Sequence, residues 1–219
     1  MFNSLFRKSI QYLVLINYDK SFEISAELLN VICSQPTIAL KPHEYYFLNE
    51  KYESKVVSSS SILKVNYSSM INVSILPSKD SLNPLLLIGV GRPKGFNSVV
   101  IHYEDSGISK LISYLKDYFS IDYGFICKCK AGENISKFVY EGDPWQTSHK
   151  KVCQGLLKDV YTVNILKSTH FPSALKSRIE EDENMGEIDF SIDDYLIWRV
   201  APSNIRHVRR QCMEMRILI

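Results

Sequence analysis

Cys127 and Cys129 stand one residue apart, the most compact pair of candidate metal ligands in the chain. Alternate residues of a strand share a face, so the pair can present two sulfurs together. A zinc site takes about four such ligands. The remaining candidates, Cys153, His149 and His170, stand at no ligand spacing, so no metal is expected and the pair reads as two small strand residues. The five histidines are His43, His102, His149, His170 and His207. A histidine base needs a nucleophile and an orienting group beside it. There is no Gly-x-Ser-x-Gly elbow and no His-Glu-x-x-His motif. Gly89-Val90-Gly91 lacks the third glycine and the helix of a phosphate loop. The expectation is therefore a protein with no catalytic set and no cofactor. The competing reading is a hydrolase whose site is assembled from scattered histidines and acids.

Charge is the stronger signal. The chain carries a net +2, too little to imply a nucleic-acid partner. Residues 179–194 hold eight acids (Glu180, Glu181, Asp182, Glu183, Glu187, Asp189, Asp193 and Asp194) and no base, which leaves +10 on the other 203 residues. Glu187-x-Asp189 at strand spacing puts two carboxylates on one face, as metal nucleases require, but no lysine accompanies them on the same strand. The alternatives are a solvated acidic loop or a contact for an electropositive protein. Beyond it, Arg206, Arg209, Arg210 and Arg216 fall on a final helix whose inward side is expected to carry Cys212 and Met213. These arginines are read as partners of the acidic loop or as a solvated face. Trp145, in the loop Gly142–Trp145, is either an exposed apolar anchor or the cap of a core edge.

These residues need a scaffold. The 219 residues are 45% apolar and 23% charged, which suits a globular chain with a sizeable core. The odd count of five cysteines fits reduced thiols and a cytoplasmic location. The apolar run Tyr12–Ile16 is too short for a membrane span and reads as part of a first strand, Gln11–Asn17. Ser21 is placed to cap a helix carrying Ile24, Leu28, Val31 and Ile32, which must stop before Pro36. Strands are expected at Glu44–Leu48, Ile62–Tyr67, Ile71–Leu76, Pro84–Val90, Ser98–Tyr103, Phe125–Lys130, Asp159–Leu166 and Tyr195–Val200. Ser58–Ser61 and Gly91–Gly95 read as connections. Helices are expected after Ser106 (with Ile108, Leu111, Ile112, Leu115 and Phe119 as one stripe), over Ser148–Lys158 with Val152, Leu156 and Leu157 inward, over Phe171–Ile179, and from Pro202 to about Met215. The pattern gives an α+β fold, an antiparallel-rich mixed sheet flanked by helices. It forms a single domain over 1–219, with two loosely related halves at 1–90 and 97–219.

The second half resembles the immunity proteins of bacterial polymorphic-toxin systems, which belong to type VI or contact-dependent delivery. The resemblance rests on the amphipathic helix Ile108–Phe119, the strand opening Asp122-Tyr123-Gly124, and the run Leu157–Leu166, with Thr162 where the similar family has tryptophan. The strand Tyr195–Val200 before the last helix also matches. It implies a cytosolic α+β protein, neither an enzyme nor a membrane protein, that binds and neutralises a cognate toxin by occlusion. Many such toxins are nucleases with basic clefts, which an acidic segment suits. The contact residues then expected are Glu180, Glu181, Asp182, Glu183, Glu187 and Asp189, with Trp145 beside them.

Overall fold

A computed structural model describes residues 9–34, 44–58, 70–76, 83–91, 96–103, 107–135, 139, 152 and 154–218. The expected strands Ile62–Tyr67 and the loops around 59–61, 92–95 and 142–145 lie outside these residues, as do Ser106 and Trp145.

The fold is α+β, built on a ten-stranded sheet of order β3-β2-β4-β5-β6-β1-β7-β8-β10-β9. Its strands are β1 (Ser9–Asn17), β2 (Glu44–Asn49), β3 (Ser54–Ser58), β4 (Met70–Ile75), β5 (Leu86–Gly89), β6 (Asn97–His102), β7 (Tyr123–Lys130), β8 (Val163–Lys167), β9 (Glu187–Ile192) and β10 (Tyr195–Arg199). Every pairing in the sheet is antiparallel. β1 is buried on both faces, which explains why it reads as a continuous apolar run. Leu13 and Leu15 look into one core and Tyr12, Val14 and Ile16 into the other.

The first core is closed by α1 (Ala26–Ser34) and α2 (Ile108–Leu115). Residues Ile108, Leu111, Ile112 and Leu115 are buried on it as their spacing predicts. The cap of α1 differs from the sequence reading. Ser25 Oγ accepts the Leu28 amide at 3.1 Å. Ser21 instead hydrogen-bonds Asp19 in the preceding turn. The second core is closed by α3 (Ser173–Glu181), α4 (Ile205–Glu214) and the segment around 152–160. Val152 and Leu157 are buried there, but no helix reaches Lys158. Gly155 turns the chain at φ +81°, and Leu157 forms a parallel bridge with Leu218. Val208 and Cys212 are the inward residues of α4, whereas Met213 is 55% exposed, contrary to its expected place.

One row of residues crosses the whole first face, one from each strand: Lys55, Phe47, Val73, Ile88, Val99, Leu15, Gly124, Ile165, Ile197 and Asp189. Gly124 is required in it, because a Cβ there would stand 2.8 Å from Leu15 Cδ2 and 3.1 Å from the Val14 carbonyl oxygen. The row is apolar inside and charged at both edges. On the second face, Asn164 is fully buried and satisfied, its side chain bonding both the amide and the carbonyl of Tyr161. Among the described residues no helix is long and apolar enough to cross a membrane.

Candidate functional site

The acidic tract is not a loop. Glu180 and Glu181 end α3, Asp182 and Glu183 enter a short 3-10 turn (Glu183–Met185), and Glu187 and Asp189 lie on β9. The reason is anchoring by apolar and aromatic neighbours. Met185 is fully buried, and its carbonyl accepts the indole N–H of buried Trp198 at 2.8 Å. Gly186 then takes φ +92°, passing so close to β10 that a Cβ would lie 2.0 Å from the Arg199 carbonyl oxygen. The tract therefore turns around the β9 edge of the sheet on fixed elements.

Several acids have internal partners. One Asp182 oxygen accepts from the Asn184 amide at 3.0 Å, and the other meets His207 Nε2 at 3.0 Å. The His207 contact, followed by the Asn184 hydrogen bonds, holds the Asp182 carboxyl below its usual pKa. Glu181 lies 3.6 Å from Arg178, and Asp193 is ion-paired with Lys116, the C-cap of α2. Asp182 and Asp193 therefore serve the fold, where the sequence offered only a solvated loop or an external contact. Glu180, Glu183, Glu187 and Asp194 are exposed and have no side-chain partner among the described residues. Glu187 and Asp189 share a face, as their spacing predicts. Glu187 is the register partner of Arg199, a neighbour that sequence distance hid.

The arginines do not neutralise the tract. Arg209 reaches the other way, to Asp159, with Nε–Oδ1 2.6 Å and Nη2–Oδ2 2.9 Å. Arg206, Arg210 and Arg216 are exposed without an ion-pair partner among the described residues. On the same helix His207 contacts the tract through Asp182, and Asn204 at its N-cap donates to the Asn184 carbonyl at 3.2 Å. Tyr45 and Phe47 of β2 are 3% and 1% exposed and belong to the first core.

Cys127 and Cys129 share the second face and are both buried. The Cys127 thiol hydrogen-bonds Cys129, which raises the Cys127 pKa and lowers that of Cys129. Cys212 is pushed up to about 12 by burial. Cys153 and His149 lie outside the described residues, and His170 ends the short turn after β8. Among the described residues no group of three or more His, Cys, Asp or Glu is placed to hold a metal ion.

No family model matches the chain, and no curated protein matches it. Among solved structures it is similar to the Pseudomonas aeruginosa T6SS protein PA0821, with a TM-score of 0.56 and 7% sequence identity over 92% of this chain and 72% of that one. What the two chains share at that identity is a fold, with strands and helices in comparable places.

Proposed function

We propose that this chain is an immunity protein that binds a cognate toxin and neutralises it by occlusion, without catalysis of its own. The observation that carries the reading is the carboxylate display at the β9 edge. From Glu187 to Arg199 the hairpin holds four acids (Glu187, Asp189, Asp193 and Asp194) against one base. It is fixed by the Trp198–Met185 bond and by the Lys116–Asp193 pair. A preorganised surface spends less entropy on binding than a mobile loop would. The fold shared with a T6SS protein supports the class, and a nuclease toxin with a basic cleft supplies the opposite field.

The test is co-expression with the product of the neighbouring gene, followed by association kinetics of the purified pair. Glu187→Gln with Asp194→Asn is the informative variant, because both are exposed without a side-chain partner among the described residues, whereas Asp182 and Asp193 serve the fold. It is expected to slow association about tenfold at low salt and to flatten the salt dependence. No complex with the neighbouring product, and no protection of cells that express it, would defeat the immunity reading. A complex whose kinetics ignore the variant would defeat only the acidic contact.

A further inference from the structure

The outer surface of the α3–α4 layer carries opposite charges side by side. Two bonds set the pairing of these helices. Arg178 donates to Gln211 Oε1 at 2.8 Å, and Asp182 meets His207 at 3.0 Å, so α3 and α4 run antiparallel with matched levels. On α4, Val208 and Cys212 point to the sheet while His207 and Gln211 point to α3. At 100° per residue, Arg206, Arg210 and Met213 then face outward. All three are exposed, Met213 at 55%. On α3, Leu175 is the buried residue, and Glu180 stands exposed near its end, followed by Glu183. None of Glu180, Glu183, Arg206 and Arg210 has a partner within the described chain.

We propose that this layer is an interface between two copies of the chain. A basic protein laid across the layer would meet Arg206 and Arg210, and a polyanion would meet Glu180 and Glu183. A second copy complements both pairs. A two-fold axis parallel to the helices, in the plane of contact, lays α3 of each copy over α4 of the other and preserves their levels. Glu180 and Glu183 of one copy then face Arg206 and Arg210 of its partner, twice, around Met213. The toxin-facing hairpin acids are not part of this surface, so the inference stands apart from the immunity reading.

Sedimentation of the full chain in low salt is expected to show a species of twice 25.2 kDa at micromolar concentration. Its dissociation constant should rise about tenfold between roughly 0.05 M and 0.5 M salt. Arg206→Glu with Arg210→Glu leaves acids at these positions on both sides of the contact, and Glu180→Lys with Glu183→Lys leaves bases on both. Each variant is expected to be monomeric and folded by circular dichroism. An equimolar mixture restores complementarity on both halves and is expected to form the heterodimer. A monomeric wild type, a dimer that persists in either variant alone, or a mixture that stays monomeric would overturn the proposal. Should a variant fail to fold, the wild-type salt series still decides, since a salt-independent dimer has another interface.

Discussion

Asp182 joins the end of α3 to α4 through His207, and its pKa is lower in the folded chain than the ordinary carboxylate value of about 4. A carboxyl depressed by folding contributes stability above its unfolded pKa and loses it as pH falls through the folded one. The denaturant midpoint is therefore expected to fall below about pH 4, and to fall less steeply in Asp182→Asn. A pH series of chemical denaturation checks this, and parallel acid limbs would count against the role. Trp198 gives a second residue-scale test. Trp198→Phe keeps a ring but leaves the buried Met185 carbonyl without its donor, at a cost of about 1–3 kcal/mol. The midpoint should drop with an unchanged denaturant slope. Gly186→Ala is expected to be worse, because the positive φ and the Arg199 carbonyl both exclude a Cβ.

Elements whose partners are local or whose burial is one-sided were legible from residues alone. The α2 stripe is the clearest case. Leu115 is fully buried, and Leu115→Ala is expected to cost about 2–5 kcal/mol by equilibrium denaturation. Leu111, Val163 and Ile165 likewise lie in the first core where periodicity puts them. β3 was not legible, since its described side chains at Ser54, Lys55 and Val56 are exposed and show no alternation. The Ser148–Lys158 helix failed at Gly155, whose left-handed backbone ends the local pattern. The candidate site was half legible. The spacing of Glu187 and Asp189 gave their common face. Their surroundings were not readable, because His207 lies 25 residues from Asp182 and Lys116 lies 77 from Asp193. Neither separation fits within one helix or one hairpin.

At the scale of the molecule, the ten-residue row on the first face ends in Lys55 on β3 and Asp189 on β9. These are the two strands with one neighbour each, and a charge in line with the core discourages pairing with another sheet. Replacing both by valine is expected to raise light scattering on warming, with little change in circular dichroism beforehand. The central position of β1 has a different consequence, which concerns synthesis. β1 is complete at Asn17, yet the first of its two neighbours, β6, begins at Asn97 and the second, β7, at Tyr123. At the usual pace of translation the first gap alone amounts to roughly 4–16 s. For that time a strand destined for burial on both faces emerges from the ribosome with nothing to pair with. It is the segment that a chaperone on the nascent chain would have to shield, and a chain stalled before residue 97 should be far more prone to clump than one stalled after residue 130.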